Sequence, residues 1–471
     1  MDIDSLRPNC QREMNHAMSI STNSPNFNLP GDSQERLYFQ YLCERTAKTI
    51  CGALDPTLWT ERIPQACYQE PPIRHATIAL TALAMSLENT YPSAGTFSSA
   101  LPRIDPNHLD KYRSYALKQY SKAISSMRSM LSDGRQHLTT SLIACVLFMS
   151  FEALQGHYEA ALIHFHAGEQ LLTDWKASRS SSPKQFYQDP VIEDLGRLFI
   201  RLDTHMLIGL RSLSSSPSTW RDITFVESFG STEEARGVWD ILFNEIARFY
   251  YQSFDLYQRT PETLLSNRWL ERHEYCTTQL LRWRDAFQVV HAKEIRAGIT
   301  DDSVILFIYY DLATILLAYC VECTEMIFDQ YTDLFAGIIS RCEYLLTGTD
   351  GSIDKPNYTL DLGVMVPLVF TACSCRDRKL RYQAIELLRS NPRREGLSLD
   401  SITWAHVCSW LSSIEFEDMT EDADLVPESA RYYNFTKLVY NPVERRLTVQ
   451  AASATIRENG QRSYRETTFS L

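Results

Sequence analysis

Residues 138–175 read LTTSLIACVLFMSFEALQGHYEAALIHFHAGEQLLTDW. The first half is apolar at almost every position up to Leu154, which predicts a helix that is buried on all sides. Gly156 ends this helix, and a second helical pattern begins at His157. Two helices joined by so short a turn are expected to pack antiparallel. The stretch therefore predicts an all-α protein built from helical hairpins.

Helical patterns continue on both sides of this hairpin. Each has apolar residues at helical spacing or is rich in good helix formers. They occupy residues 34–52, 73–88, 109–131, 235–254, 266–287, 303–326 and 331–346. No strict 34-residue repeat is present, so the pattern predicts irregular, solenoid-like antiparallel hairpins and not a regular repeat array.

Composition also suggests how the chain is organised. Residues 1–33 are polar and rich in Ser, Asn and Pro, which predicts a disordered segment. The helical body is expected over residues 34–430, and Ser/Pro-rich loops near 177–219 mark a break within it. Residues 431–471 contain β-type runs separated by the turn sequence NPVE. We expect a small β-hairpin or meander there, packed on the helical body.

The charge and the cysteine content indicate which classes of function and which compartment the sequence is compatible with. The chain has 46 Lys and Arg against 58 Asp and Glu, a net charge of -12, so it should repel nucleic acid unless its positive charge is concentrated locally. Twelve cysteines follow no repeating spacing, and no apolar leader follows Met1. Both features predict reduced thiols in a nuclear or cytosolic protein.

The longest apolar run is Ser303–Val321. It approaches the length of a membrane span, but Asp311 stands near its middle and acidic as well as basic residues flank it. The run predicts a buried helix, and no membrane association is expected.

Two groups of metal-type ligands stand out, and neither predicts a site. His157, His164 and His166 are surrounded by apolar residues and lack further ligands nearby. Cys320 and Cys323 form a CxxC inside the apolar helix, without a second CxxC or a helix N-terminus that would activate a thiol. No catalytic, cofactor-binding, metal-ligating or DNA-contacting residue is predicted, and no cofactor.

The sequence TACSCRDRKL, from Thr371, places two cysteines before a basic run, as zinc-held DNA-binding elements do. A binuclear zinc site would require C-x2-C-x6-C and six thiolates in all. Counting from Cys375, Ala372 and Tyr382 stand where the first and third ligands should be. The spacing excludes this zinc site and leaves Cys373 and Cys375 without a ligand role.

The basic run itself predicts an amphipathic helix. Asp377 is a suitable N-cap, and Asn391 with Pro392 would end the helix. The apolar stripe consists of Leu380, Ala384, Ile385 and Leu388, and the residues expected largely on the solvent side are Arg378, Lys379, Arg381 and Arg389.

A run of seven acidic residues without a base spans Glu415–Glu428. It is either a surface for transcriptional activation or a solvated linker.

Five segments, in order, resemble the middle and C-terminal domain of fungal-specific transcription factors of the binuclear zinc-cluster class. The resemblance extends from Gln34 to Leu471 and is most specific at Ser141–Leu172. The other four segments are YFQYLCERTAKTICGALDPTLW, EPPIRHATIALTAL, ALKQYSKAI and RYQAIELLRSNPRREGLSLD. The resemblance implies a nuclear regulator of transcription, often of clustered metabolic genes.

The chain departs from that family at its N-terminus. Family members usually carry the zinc cluster before this domain, whereas residues 1–69 hold only Cys10, Cys43, Cys51 and Cys67, with no CxxC and no basic run. DNA contacts are therefore carried over to no residue.

Three interpretations follow. The chain regulates transcription through protein partners, either the transcription machinery or a DNA-binding co-regulator, with a small-molecule effector unidentified. Alternatively, the zinc cluster is encoded in a missing upstream exon. The third interpretation is an all-α ligand-binding protein or enzyme with a pocket among its helices.

Overall fold

The computed structural model describes residues 29–51, 57–88, 106–133, 137–180, 190–210, 227–259, 266–297, 301–322, 324–347, 358–396, 400–417, 419–420, 424–441, 444–456 and 462–470. The segment predicted to be disordered, 1–33, lies almost entirely outside these residues. So do most of the Ser/Pro loops near 177–219 and part of the acidic run.

The first half of the described chain is helical. Its helices are α1 (Ser33–Tyr41), α2 (Ala47–Cys51), α3 (Ile63–Gln69), α4 (Pro71–Glu88), α5 (Pro106–Ser132), α6 (Leu138–Leu154), α7 (Tyr158–Ser180) and α8 (Pro190–Leu210). Single π-helical turns, Leu42–Thr46 and Leu58–Arg62, lead into α2 and α3. Asp32 begins α1 with a reciprocal capping box to Glu35.

The α6–α7 hairpin forms as the sequence predicts. Nearly every residue of α6 is buried, because its apolar side chains cover the whole circumference of the helix. The turn depends on Gly156, whose φ of 80° is the left-handed conformation that glycine adopts most easily. A Cβ at this position would also lie 2.8 Å from the ring of Tyr440, so the turn is pressed against the C-terminal sheet.

The second half adds seven further α-helices. They are α9 (Thr232–Arg259), α10 (Asn267–Ala297), α11 (Asp301–Glu322), α12 (Thr332–Thr347), α13 (Met365–Ser374), α14 (Arg378–Ser390) and α15 (Ser401–Glu415). Helix α11 ends at Glu322, before the predicted end at 326, and a 3-10 helix, Glu325–Tyr331, follows it.

Helix α11 is the helix of the described part that is long and apolar enough to cross a membrane. Within its most apolar window, 61% of the residues are buried inside the protein, where α11 packs against α9, α10 and α12. Asp311, near the middle of the helix, pairs with Arg341 on α12 at 2.6 Å. These contacts agree with the buried helix that the sequence predicts for this run.

The C-terminal residues form an antiparallel meander of β3 (Tyr432–Asn441), β4 (Arg446–Ile456) and β5 (Arg462–Ser470). Leu447, Val449 and Ala451 on β4 are fully buried and face the helices, because alternate residues of a strand share one face. The all-α architecture with a small C-terminal meander is confirmed.

The structure adds a parallel pair of two-residue strands that the sequence did not predict, β1 (Tyr358–Thr359) and β2 (Arg394–Glu395). This pair connects distant parts of the chain. The N–H of Leu360 donates to the carbonyl of Ile50 at 3.0 Å, and Arg394 donates to the carbonyl of Leu154 at 2.9 Å.

The buried apolar side chains form two clusters. One contains residues from α1–α8 together with Tyr358 and Leu360. The other contains residues from α9–α15 and β4. Helices α8 and α9 pack against each other where the two clusters adjoin.

Candidate functional site

A pocket opens between the end of α8, the middle of α9 and one side of α13. Its cavity volume is about 50 Å³, and the empty space reaches about 600 Å³ only when the part open to solvent is counted. Its wall is mainly aromatic and aliphatic, with few polar groups, as is usual for small-molecule sites. The lining residues include Ile208, Tyr251, Val369, Cys373, Glu395 and Trp404.

Tyr251 and Glu395 contribute polar groups to the wall of this pocket. The hydroxyl of Tyr251 donates to the carbonyl of Ile208 at 3.4 Å. Glu395 is 2% exposed, and its carboxylate accepts from the N–H groups of Val364 and Met365 at 3.1 and 2.8 Å. These N–H groups begin α13, so the helix dipole favours the carboxylate there. Burial nevertheless raises the pKa of Glu395, which Arg393 and the two N–H groups oppose.

Next to Glu395 lies a group of buried charges that we call the seam cluster: Arg201 on α8, Arg236 and Asp240 on α9, and Asp361 after β1. Arg201 donates to Asp240 at 3.1 Å, and Arg236 donates to Asp361 at 2.6 Å. Cross contacts of 3.5 and 3.6 Å complete the set, so each arginine faces both aspartates. Burial raises the pKa of Asp240, while Arg236 and Arg201 lower it. The cluster joins the two halves of the helical body.

His205 lies beside the seam cluster, 2% exposed, and neither ring nitrogen has a hydrogen-bond partner of good geometry. Burial lowers the pKa of His205 to about 4; Asp361 opposes this shift and Arg201 reinforces it. The imidazole is therefore neutral near pH 7. Gly396 packs so closely on this ring that a Cβ would lie 2.4 Å from Nδ1.

At the opposite end of α13 lies a second group of buried charges, the anchor cluster: Arg381 on α14, Glu415 at the end of α15, Glu325, and Arg431 just before β3. Arg431 bonds both Glu415 oxygens at 3.0 Å and also pairs with Glu325, while Arg381 pairs with Glu415. Burial alone would lower the pKa of Arg431, but Glu415 and Glu325 raise it above its ordinary value. The cluster fixes the meander to the helices.

This cluster corrects one sequence prediction. Arg381 was expected largely on the solvent side of α14, yet it is fully buried because Glu415, 34 residues away, supplies its counter-charge. The other features of α14 are confirmed: Asp377 accepts from the N–H of Leu380, and Ala384, Ile385 and Leu388 are buried. Glu415, the first residue of the acidic run, is also buried, so the run is not solvated at its start.

The remaining bases of the run are mostly engaged within the protein. Arg376 donates to the carbonyl of Val426 and pairs with Asp329, and Arg378 stacks over the ring of Phe416 at 4.4 Å. Lys379 remains exposed, 3.8 Å from Asp424. The run therefore serves the packing of α14 against the C-terminal segments.

Both cysteines of the TACSCRDRKL sequence are buried. The sulfur of Cys373 lies 3.6 Å from that of Cys408 on α15, and Cys375 follows at the end of α13. Cys320 is buried in α11 and donates to the carbonyl of Leu316, while Cys323 lies outside the described residues.

Of the three histidines of α7 and the preceding turn, His157 and His164 share a hydrogen-bond network through Glu152 and Tyr120, but the three do not meet at one point. His157 pairs with Glu152, His166 pairs with Glu169, and His164 contacts the hydroxyl of Tyr120 at 3.5 Å. Across the residues that the structure describes, no three His, Cys, Asp or Glu side chains are grouped in a way that could hold a metal ion.

Sequence reasoning did not identify the pocket, the seam cluster or His205. The one available signal was the presence of charged residues inside otherwise apolar helical patterns, as in LFIRLDTHML of α8. In the structure, Arg201, Asp203 and His205 of this stretch are all buried.

A family model described as the fungal specific transcription factor domain matches residues 36–396. The chain belongs to this family. The match includes α2–α14 and β1–β2, and with them the seam cluster and most of the pocket wall, although Trp404 lies beyond it. It ends before β3, so the meander lies beyond the matched residues.

A relative supports the same class. The transcription regulator lscL of Purpureocillium lilacinum is 27% identical over 114 residues, which are 24% of this chain and 26% of the relative. The aligned part thus spans about a quarter of that relative. No solved structure matches the chain.

Family membership places the chain among transcription regulators. In general it implies a nuclear location, contact with DNA or the transcription machinery, and a non-enzymatic role.

Proposed function

We propose that this chain is the regulatory region of a transcription regulator that controls clustered metabolic genes, and that the pocket beside α13 receives a small effector. The observation that carries the proposal is the position of α13. One end of this helix is held by Glu395, next to the seam cluster, and the other end contributes carbonyls to Arg431 of the anchor cluster. A ligand that shifts α13 acts on both clusters at once.

The pocket favours a particular ligand chemistry. Its aromatic and aliphatic wall suits a small apolar or aromatic molecule. The carboxylate of Glu395 and the hydroxyl of Tyr251 suit a hydroxyl or amine donor on that molecule. Binding gives regulation only to the extent that the ligand prefers one arrangement of the helices.

The decisive test is genetic. Replacing Val369, which lines the pocket, by Trp fills the site, and it should change transcripts of the neighbouring genes in the same direction as either deletion or constitutive activation of the regulator. The matched control is Val439→Trp on β3, where the side chain is 53% exposed. Unchanged transcripts in both the deletion strain and the Val369→Trp strain, with the protein present at normal level, would refute the proposal.

We further propose that the described helical body reaches DNA through a partner or through another part of the protein. The supporting observation is that Arg376, Arg378 and Arg381 of the basic run make contacts within the protein. Phosphate binding needs such charges to be accessible.

Two experiments separate the routes to DNA. Sequencing of transcript 5′ ends should reveal C-x2-C-x6-C upstream if the cluster belongs to the same protein, and affinity purification should recover a DNA-binding partner if it does not. Salt-dependent binding of purified residues 29–471 to random duplex DNA would contradict the proposal.

A further inference from the structure

The thiol of Cys373 in the pocket wall forms a pair with the thiol of Cys408, which is buried behind it. The sulfur atoms of Cys373 and Cys408 are 3.6 Å apart, although the residues are 35 positions apart and lie on different helices, α13 and α15. Neither cysteine is part of a disulfide in this structure. We propose that Cys373 and Cys408 are an oxidation site, at which a peroxide converts the two thiols into a disulfide that links α13 to α15.

The pocket supplies the access. Cys373 lines the pocket and is 8% exposed, whereas Cys408 is fully buried behind it. A peroxide of two heavy atoms fits the pocket and meets Cys373 first. Cys408 is then the resolving thiol, since it is in contact with the sulfur of Cys373.

The reaction balances with hydrogen peroxide as the oxidant. The sulfur of Cys373 attacks one peroxide oxygen, the O–O bond breaks, and the products are a sulfenic acid and one water. The sulfur of Cys408 then attacks the sulfenic sulfur, the S–O bond breaks, and its thiol proton leaves with the hydroxyl as a second water. In total, two thiols lose two electrons and two protons, and the peroxide gains both.

The surroundings set the speed of this reaction. Contact with Cys373 and burial raise the pKa of Cys408 well above its ordinary value, so little thiolate is present near neutral pH. This slows the second step, in which the sulfur of Cys408 attacks the sulfenic acid.

The bond would change the pocket wall. A disulfide holds its sulfur atoms about 2.05 Å apart, so the two sulfurs must approach each other by roughly 1.5 Å. The carbonyl of Cys373 also accepts from Arg431 at 2.9 Å, which places the new link directly beside the anchor cluster. Oxidation thus tightens the end of α13 that holds the meander.

The experiment uses the full chain and hydrogen peroxide. After treatment, remaining thiols are alkylated, and tryptic peptides are examined by mass spectrometry without reduction. We expect a cross-linked peptide that joins Cys373 to Cys408, two hydrogens lighter than the sum of its parts. The unfolding temperature should rise by several degrees, because the link closes a loop of the unfolded chain.

Single variants complete the test. Cys375→Ser, two residues from Cys373, should keep both the cross-link and the temperature rise, while Cys408→Ser should lose both. Circular dichroism confirms that each variant is folded. The proposal is overturned if the wild-type chain stays folded in peroxide and yields no 373–408 peptide, or if Cys375 replaces Cys408 as the partner. It stands independently of whether the pocket binds an effector.

Discussion

The seam cluster and the anchor cluster are both buried groups of two arginines and two carboxylates, yet they are completed differently. In the anchor cluster, Glu415 also accepts the N–H of Tyr432 at 2.6 Å, and Arg431 donates to two backbone carbonyls. Beside the seam cluster, neither ring nitrogen of His205 has a hydrogen-bond partner of good geometry.

Neither cluster is fully satisfied: Nε and Nη2 of Arg381 in the anchor cluster lack a hydrogen-bond partner, as do Nε and Nη1 of Arg236 and Oδ2 of Asp361 in the seam cluster. The seam cluster differs in having the buried ring of His205 beside it, which makes it the less satisfied side of the pocket.

This difference has an energetic meaning. Buried polar groups stabilise a fold when their hydrogen-bonding capacity is met and destabilise it when it is not. The seam is therefore the side from which a ligand or a change of pH can alter the arrangement of the helices. Single substitutions in and around the two clusters test this contrast.

Arg431→Met should be the most damaging change. It removes the guanidinium that pairs with both Glu325 and Glu415, and breaking a buried ion pair from one side costs about 3–5 kcal/mol. Urea unfolding of the purified chain measures the loss. Arg465→Met is the control, because Arg465 pairs with Glu417 on the surface and such a pair contributes at most about 1 kcal/mol. Equal losses in the two variants would contradict the structural role of the anchor cluster.

Arg236→Met should lower the free energy of unfolding by less than Arg431→Met does, although Arg236 is only 4% exposed. Arg201 still faces both Asp240 and Asp361, so the expected loss is that of an incompletely satisfied buried group, roughly 2 kcal/mol. The same urea titration applies, with Arg197→Met on α8 as the half-exposed control. A loss as large as that of Arg431→Met would show that the two clusters are equally satisfied.

His205 should make stability depend on pH. Its folded pKa of about 4 lies below its value in the unfolded chain, so the unfolded state binds the proton first as the pH falls below about 6.5. Because of His205, the free energy of unfolding should fall by about 2 kcal/mol between pH 7 and pH 5, and it should change little above pH 7.

The measurement compares urea unfolding at the two pH values. His205→Gln should remove this part of the loss, whereas His406→Gln, at an exposed position of α15, should retain it. An unchanged pH dependence in His205→Gln would show that His205 is not the titrating group.

Asp377→Ala should have the smallest effect. It removes the side-chain oxygen that accepts from the N–H of Leu380 at the start of α14, and loss of an N-cap costs about 1 kcal/mol. Asp377→Asn keeps the acceptor and should retain most of the stability. If thermal unfolding shows the same loss of stability in both variants, then the carboxylate charge, and not the capping hydrogen bond, stabilises the helix.

Local patterns predicted the features that depend on neighbouring residues. The apolar run before Gly156 predicted the α6–α7 hairpin, and the spacing of Leu380, Ala384 and Ile385 predicted the buried face of α14. These features follow from helical periodicity, which is encoded over a few turns.

Arg381 shows where such reasoning fails. Its spacing to Ile385 and Leu388 places it on the buried face, but its charge suggested solvent. The spacing was the correct guide, because a counter-charge was available on another helix. No local pattern could reveal Glu415, Glu325 and Arg431 as partners, and the pocket and the seam cluster were missed for the same reason.

The link between Thr359 and Ile50 spans 309 positions of the chain and has a consequence for synthesis on the ribosome. The apolar cluster of α1–α8 includes Leu360, so it remains incomplete after α8 has emerged. At a synthesis rate of about 5–20 residues per second, the wait is on the order of 10–30 s. During this interval the nascent chain exposes apolar surface that chaperones recognise, and the supply of chaperones should therefore influence how much regulator a cell accumulates.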